Sequence, residues 1–337
     1  MSGESDRELR VALAGAGMIS AYHLRAWSKV PGVKVVGLVD PDLDRARRRA
    51  DEFGVHACFP SLNALLDTES IDAVDIASPR ETHGPLLRLA ASRKLDAICQ
   101  KPFVSSIDEA AELTLWLQGR SRVMVNQNFR FRPYFQRAHE WLSEGRLGAL
   151  TGLTISTRSS GLVRSADGTY PYIERQPFVR TEKRLMIEEV LIHRIDIARW
   201  LVGPLSVIGA VARHGCPELA GESEAAILFS TRQHGIPVVV EGNLTAHGLP
   251  QTPARDRMEL VGERGRILFD GDVLSLHADE SEEHVYAHAD AYQQAFDAAA
   301  AHFVACLRSG TPFLTPPEDN LFTLQLVEDA YRAAGLA

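Results

Sequence analysis

The sequence predicts an α/β fold: an N-terminal doubly wound parallel sheet, followed by a C-terminal α/β domain on an open, mostly antiparallel sheet. Three observations predict it. Short, near-continuous apolar runs alternate with helical segments in the first 130 or so residues, as strands buried on both faces by crossover helices do. The tight turn Gly15-Ala16-Gly17-Met18-Ile19-Ser20 follows the first of these runs directly. Near residue 149 the pattern changes to half-exposed strands that succeed one another without helices between them.

Taken in order, Leu9–Ala14 is an apolar run ending at Gly15, and Val33–Val39 ends at Asp40. Ile71–Ala77 ends at Ser78-Pro79, Asp96–Cys99 at Gln100-Lys101-Pro102, and Arg122–Val125 at Asn126-Gln127-Asn128. Between them Leu43–Phe53, Pro85–Arg93 and Ile107–Leu117 carry helical periodicity. Leu150–Thr157 alternates apolar and small polar residues, and a polar, Arg-rich connection fills 159–184. Leu185–Leu201 reads as a helix. Strands are expected at Val207–Arg213, Ala225–Ser230, Pro237–Gly242, Met258–Val261, Arg266–Phe269 and Val273–Leu276, and helices at Ala287–Ser309 and Glu318–Ala334. The change of pattern divides the chain into residues 1–148 and 149–337, with the last helix packing back toward the first domain.

Composition narrows the function. The 337 residues carry 36 Lys plus Arg against 44 Asp plus Glu, a formal charge of −8. An acidic balance argues against a nucleic-acid surface, which needs a basic stripe. No apolar run approaches the roughly 20 residues that span a bilayer, and the first ten residues lack a signal-peptide core. The four cysteines are scattered, giving neither a zinc pattern nor a disulfide framework. A cytoplasmic protein with no nucleic-acid, membrane or metal partner is the expectation.

The glycine turn has the context of a dinucleotide site, with a strand before it and a helix after it. Gly15 permits the tight turn, Gly17 lets the backbone approach a pyrophosphate, and the helix N-terminus at Met18 and Ile19 faces the phosphates. Asp40, at the end of the second run, can accept the ribose hydroxyls, which favours NAD. Arg45 and Arg47 nearby leave NADP open. Lys101 follows a strand and precedes Pro102, so it stands at the carboxyl edge where ligands of parallel sheets bind. There it can donate to a substrate hydroxyl or relay a proton. Glu189, His193 and Asp196 are spaced i, i+4, i+7 on a mostly apolar segment, which predicts a polar stripe on one helix face. His193 beside a carboxylate suits proton transfer near neutral pH.

Together these pieces resemble the glucose–fructose oxidoreductase / inositol dehydrogenase (Gfo/Idh/MocA) family over nearly the whole chain. Gly15 to Ser20 resembles its first motif. Ala77-Ser78-Pro79 with His83 is similar to its Thr-Pro…His segment, and Gln100-Lys101-Pro102 to its Glu-Lys-Pro. Asn128 to Pro133 and Glu189 to Asp196 resemble its later motifs, and Thr315 to Tyr331 its C-terminal helix.

The resemblance implies a Rossmann domain and a second domain that mediates homo-oligomers, a dimer or tetramer. It implies oxidation or reduction of a sugar, polyol or related carbonyl with NAD, NADP being possible. It assigns cofactor contacts to Gly15, Gly17, Met18, Ile19, Asp40, Ser78, Pro79, His83, Gln100, Lys101 and Asn128. Lys101 would hydrogen-bond the reacting oxygen, His193 would be the general acid/base, and Glu189 would orient the substrate or tune His193. Asp196 would be structural. Gln100 departs from the family's Glu and removes a charge beside Lys101, while Glu189 replaces an Asp and Leu191 a Gly. Relatives that hold NAD tightly and use transient oxidation for elimination or glycoside cleavage are an alternative, as is a silent sugar-binding sensor.

The connection from Arg158 to Arg184 is the expected specificity element, with Arg175, Gln176 and Arg180 as substrate contacts. Its arginines would suit a carboxylate or phosphate, and its Tyr and Gln side chains sugar hydroxyls.

Overall fold

A computed structural model describes residues 7–336. The chain forms two compact units. One runs to Phe131 and takes up Tyr292–Leu321; the other runs from Arg132 to Ala291 and resumes at Phe322.

The first unit alternates β1 (Leu9–Ala14), α1 (Ser20–Trp27), β2 (Val33–Val39), α2 (Leu43–Phe53), β3 (Cys58–Phe59), α3 (Leu62–Leu66), β4 (Ala73–Ile76), α4 (His83–Ser92), β5 (Asp96–Gln100), α5 (Ile107–Leu117) and β6 (Val123–Asn126). Its six strands are parallel in the order β3-β2-β1-β4-β5-β6. The order reverses between β1 and β4, which opens a crevice at the carboxyl ends of the strands. The bounds of α2 and α5 are those expected, because local chemistry sets them. The Asp42 side chain accepts the Arg45 N–H and Gly54 closes α2 in the left-handed region; Ser106 accepts the Glu109 N–H at the start of α5. β3 was not anticipated, since two residues carry no readable period.

The second unit holds α6 (Pro133–Ser143), β7 (Leu150–Arg158), α7 (Pro171–Arg175), α8 (Ile192–Val202), and then β8 (Leu205–Arg213), β9 (Glu224–Thr231), β10 (Pro237–Asn243), β11 (Arg255–Gly262), β12 (Gly265–Asp270), β13 (Val273–His277) and β14 (Glu282–Val285). The sheet order is β14-β13-β12-β11-β7-β10-β9-β8, antiparallel except where β10 runs parallel to β7. One face is apolar and buried, with Ile155, Ile227, Phe229, Val238, Val240, Met258 and Leu260.

Two long helices close the chain, α9 (His288–Ser309) and α10 (Pro317–Ala333). From Tyr292, α9 belongs to the first unit. Its Ala295, Phe296, Ala299 and Phe303 form one core with Trp27 of α1 and with Val11, Ala73, Ile98 and Met124 of four parallel strands. α10 is divided, Pro317–Leu321 going with the first unit and the remainder with the second. The units therefore meet at 131/132, earlier than the expected 148/149. Helix α6, after Pro133, belongs to the second unit, and the first regains 292–321 because α9 supplies the apolar cover for its sheet.

The segment Leu185–Leu201 is not one regular helix. Met186–Leu191 is a π-turn that passes into α8 at Ile192. Gly242 on β10 makes room for it: a Cβ there would lie 2.5 Å from the Met186 sulfur. π-turns are rare and concentrate at functional positions.

Candidate active site

The first unit gathers its predicted residues on one edge, because parallel strands put all their carboxyl ends together. Gly15 has φ +106°, and a Cβ on it would lie 2.5 Å from the Ala77 carbonyl oxygen. Only glycine fits this turn. Its N–H donates to Val39 O at 2.7 Å. Ser20, in the third glycine position, donates to Gly17 O at 2.6 Å, so its hydroxyl closes the turn. Met18 is exposed beside it, and Ile19 is the N-cap of α1.

Asp40 is buried and forms the floor of this turn. It accepts from Ala16 N at 2.9 Å and Asp42 N at 2.9 Å, and Arg45 forks onto it at 2.9 and 3.2 Å. Burial alone would raise the carboxyl, but the Arg45 fork and the two amides outweigh it and hold it below its ordinary value. Arg45, Arg48, Arg49 and Glu52 line a cleft of about 380 Å³ with Ala16, Gly17 and Met18.

These residues fit a dinucleotide. A Cβ on Gly17 would meet nothing within 4 Å, so the turn leaves an open cradle beside the α1 N-terminus, with an ionised Asp40 at the neighbouring strand end.

His83 is held by backbone carbonyls on both sides of its ring. Its Nδ1 lies 3.0 Å from Pro102 O and 3.2 Å from Phe103 O, and its Nε2 lies 2.9 Å from Ser78 O. Burial lowers its pKa, against the three carbonyls that favour the charged ring. The ring is a strut between the loops after β4 and β5. The Ser78 and Thr82 hydroxyls, 2.6 Å apart, close the first loop after Pro79. Asn128 is buried in the turn after β6.

The second unit places Glu189 in the π-turn and His193 in the first turn of α8, His193 buried and Glu189 half-buried. The π-turn replaces the even stripe expected for Glu189, His193 and Asp196. Glu222 anchors its start, accepting Ile187 N at 3.1 Å and the Tyr331 hydroxyl at 2.5 Å. Arg184 pairs with Glu188 at 2.8 Å and Glu328 at 2.7 Å. Asp196 accepts from the Thr323 hydroxyl at 2.8 Å, tying α8 to α10. Behind His193, Arg194 donates to Asp256 at 2.6 Å and to Val190 O at 3.0 Å, with Arg132 at 3.5 Å from the other Asp256 oxygen. Burial opposes the Asp256 charge, but the two guanidinium groups outweigh it and lower its pKa.

Tyr172 joins this group. Burial pushes its phenol up to about 12, and the Glu189 charge pushes the same way against Arg175 and Arg194. Its place among the many polar residues of one loop gave no signal of that in the sequence.

The predicted arginines of the connection do not converge on an anion site. Arg175 stacks over the Tyr172 ring and donates to the Thr252 hydroxyl at 3.2 Å. Arg180 pairs with Glu218 at 3.0 Å on the surface, and Gln176 ends α7. Among the described residues no group of three or more His, Cys, Asp or Glu is placed to hold a metal ion, and no helix is long and apolar enough to cross a membrane.

Comparison with known proteins shows the family. Residues 9–127 match the model of an oxidoreductase family with an NAD-binding Rossmann fold, and residues 135–268 match the GFO/IDH/MocA C-terminal domain. The chain is 30% identical over 340 residues to a D-apiose dehydrogenase of Paraburkholderia graminis, covering 97% of this chain and 88% of that protein. It is 26% identical to a scyllo-inositol 2-dehydrogenase (NAD(+)) of Bacillus subtilis, covering 92% and 90%. Among solved structures, an oxidoreductase from Agrobacterium radiobacter in complex with NAD+, L-tartaric acid and magnesium superposes with a TM-score of 0.89 at 28% identity, over 97% of this chain and 96% of that one. The chain belongs to the GFO/IDH/MocA family of NAD-binding oxidoreductases.

Proposed function

We propose that this protein is an NAD-dependent dehydrogenase that oxidises a secondary alcohol of a sugar or polyol, or reduces the matching ketone. The glycine turn carries the reading: an open cradle at Gly17 beside a fixed Asp40, in a chain whose relatives are named apiose and inositol dehydrogenases. When bound, the nicotinamide supplies the hydride acceptor or donor. Lys101 hydrogen-bonds the reacting oxygen, and His193 takes or returns its proton as general base or acid. Glu189 and Tyr172 hold substrate hydroxyls. With Arg175 and Arg180 already engaged by protein groups, a neutral polyhydroxy compound suits the connection better than a phosphate. A panel of pentoses, hexoses, inositols and sugar acids, each tried with NAD and NADP and followed by reduced-nicotinamide absorbance, tests this. Turnover of neutral sugars or polyols is expected, and none on the whole panel would overturn it.

Cofactor choice rests on the Asp40–Arg45 fork. Asp40→Ala removes the acceptor for the ribose hydroxyls and releases Arg45, a guanidinium suited to a 2′-phosphate. The ratio of NADP to NAD affinity is expected to rise at least about tenfold. An unchanged ratio by titration would remove Asp40 and Arg45 from this role.

The assembly we propose is a homo-oligomer built on the outer face of the eight-stranded sheet. Strand pairing puts Val211, Leu228 and Val261 on that face, all exposed, opposite the buried Ile227, Val240 and Leu260. A solvent-facing apolar set of this kind marks an association surface. Leu228→Glu is expected to lower the mass seen by sedimentation without lowering the melting temperature of the monomer. A native mass equal to one chain would refute the assembly.

A further inference from the structure

Asp75 lies in the middle of β4, between Val74 and Ile76, and is fully buried. A carboxylate inside a parallel sheet is costly unless donors hold it. Its Oδ2 receives the Trp27 indole N–H at 2.6 Å and lies 2.7 Å from His23 Nδ1. On the other side of the buried imidazole, His23 Nε2 is 2.8 Å from Gln100 Nε2. The other end of that amide, Gln100 Oε1, accepts the backbone N–H of Lys101 at 3.1 Å. The chain of hydrogen bonds thus begins inside the sheet and ends on the residue assigned to the reacting oxygen.

The donors and acceptors allow one arrangement. A backbone N–H only donates, so Gln100 must turn its oxygen to Lys101. Its NH2 group then faces His23, and an NH2 only donates, so His23 Nε2 presents its lone pair. The imidazole proton sits on Nδ1 and goes to Asp75. A glutamate at position 100 could accept from Lys101 equally well, but its second oxygen would require a proton on His23 Nε2. The ring would then be an imidazolium between two carboxylates, and the link would depend on a proton that histidine exchanges near neutral pH. From α9 the edge of Phe296 meets the ring at 5.1 Å, and from β5 the Cys99 thiol feels the Asp75 charge, which with burial keeps the thiol protonated.

We propose that Asp75, His23 and Gln100 are positioning residues that brace the backbone of Lys101, and that the Gln100 amide fixes His23 as the Nδ1–H tautomer. The catalytic role of Lys101 is the one given under the proposed function, and this proposal rests on it. Long-range proton–nitrogen NMR of 15N-histidine-labelled protein between pH 6 and 9 tests the brace without turnover. One histidine, the one whose signals Gln100→Glu displaces, is expected as the Nδ1–H tautomer. In Gln100→Glu the same ring is expected to be doubly protonated at the acid end and to lose a proton as pH rises. With substrate, kcat of Gln100→Glu is expected to fall roughly tenfold relative to wild type across that interval, while KM for NAD stays level. In Gln100→Leu, kcat is expected to fall by a similar factor at every pH. An Nε2–H tautomer in the wild type would overturn the brace. So would a Gln100→Glu pH profile parallel to wild type. If the expected tautomer appears and no sugar or polyol is turned over, the functional reading fails and the brace itself stands.

Discussion

Alanine at Lys101 or at His193 is expected to lower kcat at least about a hundredfold, with NAD affinity within about fivefold of wild type. A positioned acid or base contributes about 10²- to 10⁴-fold, or roughly 3–5 kcal/mol of barrier. The dinucleotide cradle consists of the Gly15–Ser20 turn and Asp40, and neither Lys101 nor His193 belongs to it. Lys101→Arg separates charge from geometry. Guanidinium keeps the positive charge, but it is a wide planar fork where a compact ammonium is needed, so little of the lost rate should return. Single-turnover rates with the best substrate of the panel, alongside fluorescence titration of NADH, make the measurement. Near-normal rates in both alanine variants would remove Lys101 and His193 from the chemistry, whatever the substrate proves to be.

Two glycines of one turn are expected to fail in opposite ways. Gly15→Ala puts a methyl 2.5 Å from the Ala77 oxygen and 2.8 Å from Ser78 N, both backbone atoms that no side-chain rotation can clear, at a φ of +106°. It should destabilise the first unit by about 2–4 kcal/mol and lower its melting temperature. Gly17→Ala meets nothing within 4 Å, so the fold should melt as before. Its methyl instead occupies the space the pyrophosphate needs, and NAD affinity should fall at least about tenfold. Thermal melts paired with NAD titrations read both. A stable Gly15→Ala, or a Gly17→Ala that binds NAD normally, would contradict this account of the turn.

Much of the fold was legible because its signals are local. The bounds of α2 and α5 follow from caps within three residues of their ends. The buried strands show as apolar runs, and the second sheet shows as period-two alternation, as in β9, where Ala225, Ile227 and Phe229 point inward. The glycine turn and the place of Lys101 at the carboxyl end of β5 were legible because a strand, a turn and a proline stand together in the sequence. β3 and β14 were missed because short edge strands take their form from neighbours. The π-turn was missed because it depends on Glu222, more than thirty residues away, and on the room left by Gly242.

The sequence by itself determined the two-part α/β architecture and the dinucleotide turn, and it offered Lys101 and His193 as candidates to move a proton. Periodicity, caps and glycine turns act over a few residues, so they can be read in one dimension. Tertiary structure alone decided which of the many arginines face protein carboxylates, that His83 is a strut, and that Tyr172 feels Glu189. It alone joined His23, Asp75 and Gln100, one each from α1, β4 and β5, into a single hydrogen-bonded chain. A hydrogen bond requires its atoms within about 3 Å in space, and separation along the chain does not report that distance.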